Sequence, residues 1–110
     1  MLHSDWLTTG PRVADFEAAL AAATGASDAV AVSSGTAALH LSMAALRIGP
    51  GDEVIVLALT FAASANCVVY CGGTPMFADV DAETLLLDPE DVARRITPRT
   101  RVIFAVDFAG

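Results

Sequence analysis

The sequence predicts an α/β protein whose mostly parallel sheet carries helices on both faces. Two observations indicate this class. Short apolar runs rich in valine and isoleucine alternate along the chain with alanine- and leucine-rich segments. Most of the short runs are apolar without interruption, as expected of strands that are buried on both faces. Strands that alternate with helices in this way favour parallel pairing through right-handed crossovers.

The first half of the chain contains a helix, a strand and a second helix. Pro11 to Thr24 is predicted to be helical, because proline suits the first helical position and Gly25 can end the helix. Ala29 to Val32 is predicted to be the first strand. It leads through the turn at residues 33–36 into a helix that continues to Leu46.

The second half repeats the same alternation. A breaker at residues 49–52 precedes a predicted strand from Glu53 to Leu57. Ala62 to Cys71 is predicted to be a helix that stops at a Gly-Gly pair, and Pro75 to Val80 to be the third strand.

The last predicted elements are a helix from Asp88 to about Ile96 and a fourth strand from Arg101 to Val106. Asp88 is a suitable N-cap, and the acids that follow suit a helix amino end. The chain stops where a crossover helix is expected next, so residues 1–110 are expected to be the amino-terminal part of a larger domain. The length allows one hydrophobic core at most.

Charge and composition exclude several functions. The formal net charge is −7, and the six residues that are positively charged at pH 7 are all arginine. Clustered positive charge for nucleic acid or an anionic membrane is missing, and no lysine amine exists for covalent chemistry by these residues alone. Cys67 and Cys71 are expected to be buried thiols rather than zinc ligands, and no metal site is predicted. Without a leader pattern or a long apolar run, the chain is expected to be soluble and cytoplasmic.

The turn before the second helix is the first candidate binding site. Gly35 allows close backbone approach, Ser34 and Thr36 offer hydroxyl groups, and no acid occupies positions 33–40. A helix amino end of this kind can accept a phosphate without a basic side chain. The alternative is that a serine only caps the helix while Gly35 eases the turn. Glycine spacing matches neither common nucleotide-binding fingerprint.

Phe61 follows the second predicted strand, at the carboxyl edge of the sheet, where an aromatic ring can stack on a flat ligand. Ordinary core packing is the alternative for Phe61 considered alone. His40 is expected to be a core or helix-face residue, and Asp79 and Asp81 to form a turn rather than a metal pair.

Several strings in the sequence together resemble the DegT/DnrJ/StrS family of sugar aminotransferases. They are WLTTGPRVADFEAALAAATGA, SSGTAALHLSMAALRIGPGDEVIV, ALTFAASAN, GGTPMFADVD and ITPRTRVIFAVDFAG, in this order. The resemblance spans essentially the whole chain. One departure is Leu57, where the family usually has proline.

The resemblance implies part of the large domain of a fold-type I enzyme that uses pyridoxal 5'-phosphate and works as a homodimer. Family members commonly transfer an amino group from glutamate to a nucleotide-linked keto-sugar. By resemblance, the Gly35 and Thr36 backbone and the Thr36 hydroxyl hold the cofactor phosphate, Phe61 stacks on the pyridine ring, and Ser34 is a weaker candidate.

Two family residues have no counterpart here: the acid that pairs with the pyridine nitrogen and the lysine that forms the Schiff base. Both lie downstream in the family, so transamination by this chain alone is expected to fail. The segments SSGTAALHL and LTFAASANCVVYCGGTP are together most similar to the branch that makes 4-amino-4,6-dideoxy-N-acetyl-altrosamine nucleotides. A non-catalytic remnant and the sugar dehydratase branch, which has histidine for the lysine, stay open as alternatives.

Overall fold

The structure is a computed structural model that describes residues 10–108, which form two compact units. Residues 10–33 belong to the first unit and residues 34–108 to the second. Within residues 10–108, no helix combines the length and the apolar character needed to cross a membrane. The cytoplasmic location stays a prediction. His3 lies outside the described residues.

The first unit contains helix α1, Pro11–Thr24, with the predicted bounds. Pro11 stands at the start of the helix, where a missing N–H group costs nothing. Gly25 ends the helix in the left-handed conformation, with φ 71°, which is accessible to glycine without strain. Both ends of α1 therefore lie where Pro11 and Gly25 predicted them.

The predicted first strand at Ala29–Val32 is wrong, since this segment is extended without strand pairing. A strand needs a neighbouring backbone to complete its hydrogen-bond ladder. Here the Ala31 N–H donates instead to Glu17 Oε1 at 2.7 Å, so a side chain of α1 satisfies it. Apolar, β-branched composition alone was not enough to form a strand.

The second unit has a three-stranded sheet, one strand fewer than predicted, with helices between the strands. Its elements are α2 (Gly35–Ala45), β1 (Glu53–Leu57), α3 (Ala63–Tyr70), β2 (Thr74–Ala78), α4 (Pro89–Arg95) and β3 (Thr100–Phe104). The strand order is β2-β1-β3, and both pairings are parallel. The predicted parallel α/β architecture is confirmed, with element ends within about two residues of expectation.

The central strand β1 is buried on both faces, which explains its uninterrupted apolar sequence. On one face Val54 and Val56 join a core cluster contributed mainly by α2 and α3, with Met43 and Val68 among its members. On the opposite face Ile55 belongs to a smaller cluster that includes Ala78 and Val92. Helices therefore cover the sheet from both sides, as predicted.

A buried carboxylate anchors the start of β1. Glu53 is 5% exposed, and its side chain accepts hydrogen bonds from the Thr97 hydroxyl and from Arg99 Nε, the latter at 2.8 Å. These bonds, led by that from Thr97, lower the pKa of Glu53 below its ordinary value. The loop before β3 is thereby fixed to the amino end of β1.

A second buried carboxylate, Asp91, anchors α4. Its Oδ2 accepts from Arg95 Nε at 2.6 Å and from the Asp79 N–H at 2.7 Å, while Arg94 donates to its Oδ1. These bonds, with Arg95 the largest contributor, lower the pKa of Asp91 to about 2. Asp91 therefore ties α4 to the segment that leaves β2.

Both cysteines pack in or against the core, but only Cys67 is buried as predicted. Cys67 is fully buried in the larger core cluster, and the half-buried Cys71 packs against it. Burial raises the pKa of the Cys67 thiol, which keeps it protonated and unreactive near neutral pH.

Candidate functional site

The amino end of α2 has two backbone N–H groups without a partner among the described residues. Ser34 caps the helix, and its Oγ accepts from the Ala37 N–H at 3.2 Å, so the capping interpretation of Ser34 is confirmed. The N–H groups of Gly35 and Thr36 precede the first intrahelical bond and donate to no described acceptor. These two donors are available to an external anion.

The helix termini of the second unit differ in charge. The first turns of α2 and α3 contain no acidic residue, whereas α4 has the Asp88 cap followed by Glu90 and Asp91. Carboxylates at the start of α4 already neutralise its partial positive charge. The partial charges at the starts of α2 and α3 have no such compensation, which favours an anionic ligand there.

The space in front of Gly35 is open. Apart from its chain neighbours and the backbone of its own helix, a Cβ atom built on this residue meets no atom within 4 Å. The neighbouring Thr36 is exposed, so its hydroxyl is accessible. Because Gly35 has no side chain, a ligand can approach its backbone closely.

Phe61 lies in the loop after β1, at the carboxyl edge of the sheet, and 78% of its surface is exposed. The core-packing alternative for this residue is therefore wrong. Leaving a phenylalanine ring in water forgoes the free energy of burying it, so a ring held on the surface in a cleft is a candidate ligand contact.

One cleft brings these features together. It has a volume of about 490 Å³, and its lining residues are Gly35, Thr36, Ala38, Leu39, Phe61 and Ala63. Three of the four residues predicted from the sequence share it, while Ser34 does not line it. The cleft combines open helix amides, a hydroxyl group and an aromatic face, which suits a ligand with an anionic group and a flat ring.

Sequence reasoning missed Ala38, Leu39 and Ala63 as lining residues. Small and aliphatic side chains carry no chemical signal, and only the packing of α2 beside α3 places them here. Ala63 is the first residue of α3, so the amino ends of two helices meet at the cleft. The absence of acids from both first turns was the available clue.

The remaining candidates have structural roles. Asp81 Oδ1 accepts from the N–H groups of Glu83 and Thr84, which confirms the predicted turn. His40 is exposed on α2 and packs edge-on against Tyr70, with ring centroids 5.5 Å apart. In the described part of the chain, no three histidine, cysteine or acidic residues cluster in a way that could hold a metal ion.

The fold and the cleft define a protein of the parallel α/β class with a candidate ligand site between the amino end of α2 and the loop that follows β1. Comparison with known proteins gives the family. The model of the DegT/DnrJ/EryC1/StrS aminotransferase family matches residues 1–110, and the chain belongs to this family.

Several known proteins are similar to this chain in sequence and in structure. SpsC, a spore coat polysaccharide biosynthesis protein of Bacillus subtilis (strain 168), is 50% identical over 109 residues, which are 99% of this chain and 28% of SpsC. Spr1654 of Streptococcus pneumoniae in its PMP form superimposes with a TM-score of 0.93 at 41% identity, covering 99% of this chain and 28% of that protein. DesV of S. venezuelae, solved in complex with a ketimine intermediate, gives 0.91 at 42% identity over 99% of this chain and 29% of DesV.

The chain thus spans little more than a quarter of the length of these relatives. The observed fold is that of a segment of a fold-type I aminotransferase domain, as the resemblance implied.

Proposed function

We propose that this chain is the amino-terminal, cofactor-binding part of a sugar aminotransferase that uses pyridoxal 5'-phosphate. The single observation that carries the proposal is the shared cleft, in which Thr36 and Phe61 lie together beside the open amides of α2. Family membership and the PMP form of a similar structure support it.

In this proposal, different residues of the cleft bind different parts of the cofactor. The N–H groups of Gly35 and Thr36 and the Thr36 hydroxyl bind the phosphate, and Phe61 covers one face of the pyridine ring. Ser34 contributes indirectly, since its side chain holds the first turn of α2 in place. The bound cofactor supplies an electron sink for amino-group transfer.

The amine that holds the cofactor covalently must come from outside these residues. The chain contains arginine but no lysine, so its side chains bind and orient the cofactor without forming a covalent bond to it. We assign glutamate as the amino donor and a nucleotide-linked keto-sugar as the acceptor in the complete enzyme. We also assign a homodimer as its working form.

The finer proposal is that the sugar product is UDP-4-amino-4,6-dideoxy-N-acetyl-β-L-altrosamine. The strings around α2 and α3 support this branch. A chimera in which residues 1–110 replace the matching segment of SpsC tests whether this segment serves a working enzyme. Amino transfer from glutamate to the UDP-linked keto-sugar by the chimera supports the proposal, and a chimera that folds and binds cofactor but transfers no amino group contradicts it.

Pyridoxamine 5'-phosphate provides the direct test of the cleft, because it has no aldehyde and binds only noncovalently. Its fluorescence should change saturably on titration with the chain, and Phe61→Ala should weaken binding by about tenfold through loss of stacking and contact area. Phe77→Ala is the matched control, since Phe77 is also exposed but does not line the cleft. Equal affinities of the two variants would disprove the assigned role of Phe61.

A further inference from the structure

Ser64 holds both Phe61 and the residue that precedes it. Its buried hydroxyl shares a hydrogen bond with the Thr60 hydroxyl, with 2.9 Å between the two oxygens. Its N–H donates to the Phe61 carbonyl oxygen at 3.0 Å. The residue before Phe61 and the backbone of Phe61 itself are therefore fixed to one buried residue of α3.

Ser64 is itself held in place. It is 5% exposed, and the thiol of the buried Cys67 donates to its carbonyl oxygen at 3.2 Å. The exposed ring of Phe61 is thus connected through Ser64 to the hydrophobic core. An anchor of this kind restricts the loop without covering the ring.

The Thr60 hydroxyl lies too early in the chain to cap α3, because the N-cap position is Ala62. A threonine at the cap position commonly accepts from a backbone N–H. Here α3 has no side-chain cap, and the Thr60 hydroxyl bonds to the side chain of Ser64, the second residue of the helix. The Thr60 hydroxyl therefore links the loop before Phe61 to the start of α3.

We propose that Thr60 and Ser64 are positioning residues, whose hydroxyl pair presents the Phe61 ring to the flat ring of a ligand bound in the cleft. The inference rests on the proposed function, because it assigns a purpose to the stacking contact. A ring ordered before binding loses less conformational freedom when the ligand arrives, so the affinity for the ring part of the ligand rises.

The test compares two probes on the intact chain. Pyridoxamine 5'-phosphate reports phosphate and ring together, whereas inorganic phosphate reports the α2 amino end alone. Thr60→Val and Ser64→Ala each remove one hydroxyl with little change of volume. We expect both to weaken pyridoxamine phosphate binding by about three- to tenfold and to change inorganic phosphate binding by less than about twofold.

Thr60→Ser should restore affinity for pyridoxamine phosphate, since it keeps the hydroxyl. Thr24→Val is the matched control, because the Thr24 hydroxyl bonds only to backbone carbonyls of α1. Ser64→Ala keeps the inference testable if Thr60→Val lowers the yield of folded chain, and the melting temperature of each variant shows whether it folds.

The outcomes separate the two proposals. If Phe61→Ala weakens binding of pyridoxamine phosphate while Thr60→Val and Ser64→Ala do not, the positioning role is wrong and the proposed function stands. If the hydroxyl variants weaken both probes equally, their role is only structural and the inference fails. If Phe61→Ala itself has no effect, the stacking proposal fails and the positioning role fails with it.

Discussion

Thr36, in the first turn of α2, and Phe61, in the loop after β1, line the same cleft although most of α2, a loop and strand β1 separate them in sequence. The contact between α2 and α3 in the larger core cluster brings these two positions together. A polar hydroxyl beside open amides at one end and an exposed ring at the other form a site with two chemically distinct halves. Each half can be tested separately.

Gly35→Ala should separate the fold from ligand binding. A methyl group at this position meets no atom within 4 Å beyond its chain neighbours and its own helix backbone, and alanine is a better helix former, so the melting temperature should stay equal or rise. The same methyl group occupies the space assigned to the phosphate, so affinity for pyridoxamine phosphate should fall by about tenfold or more. Gly49→Ala is the control, since its added methyl group is equally free of contacts. Unchanged affinity in Gly35→Ala would exclude close approach of the phosphate.

Thr36→Val should weaken the binding of both pyridoxamine phosphate and inorganic phosphate. A hydrogen bond to a charged group contributes about 1.5–3 kcal/mol, which corresponds to a loss of roughly tenfold or more in affinity. Ser42→Ala is the matched control, because the Ser42 hydroxyl bonds only to the Ala38 carbonyl oxygen of the same helix. Calorimetric titration measures the effect. Equal affinities of the two variants for phosphate would rule out the assigned role of the Thr36 hydroxyl.

Pyridoxal phosphate followed by borohydride should label no side chain of this protein. Reduction traps the cofactor on an amine, and no side chain here carries one because the chain has no lysine. The expected product carries the phosphopyridoxyl group on the α-amino group alone, as determined by peptide mass spectrometry. Free lysine labelled in parallel is the positive control. A stable adduct at an internal residue would overturn the statement that these residues bind the cofactor only noncovalently.

Acid should destabilise the chain in part through Asp91. The pKa of Asp91 is lowered to about 2 from 3.8, so its carboxylate stabilises the folded state fully above pH 3.8 and progressively less as the pH falls toward about 2. Asp91→Asn should therefore melt at a lower temperature near neutral pH, and the difference from the unmodified chain should shrink across this acid range. Asp15→Asn is the control, since Asp15 is exposed and its Oδ2 lies 4.0 Å from Arg12 Nη1, at the outer limit of an ion pair. A difference that stays constant with pH would contradict the assigned ionic role.

Gly73→Ala should destabilise the second unit. A Cβ atom at Gly73 lies 2.7 Å from Ile48 Cγ2 and 3.0 Å from Val68 Cγ1, both in the packed core cluster. Relieving these contacts should cost about 1–3 kcal/mol in the free energy of unfolding. Chemical denaturation against Gly49→Ala measures the difference. Equal stability of the two variants would mean that the core yields to the added methyl group.

Local signals predicted most of the helices and strands because they act over a few residues. Pro11 begins α1 and Gly25 ends it, and Asp88 caps α4. The uninterrupted apolar run of β1 reflects burial on both faces. Ala29–Val32 was mispredicted because strand formation depends on a partner segment that local signals do not reveal. The Ala31 N–H donates to the Glu17 carboxylate instead of to a neighbouring strand.

The sequence by itself determined the α/β class, the lack of acidic residues around the start of α2 and the lack of a lysine amine, since these follow from residue types and short-range patterns. Only the tertiary structure decided that Phe61 is exposed rather than buried, that it shares a cleft with Thr36, and that Ser64 anchors it. These relationships depend on how α2 and α3 pack against the sheet. Packing is set by the sum of many weak contacts between residues distant in sequence, which no single motif encodes.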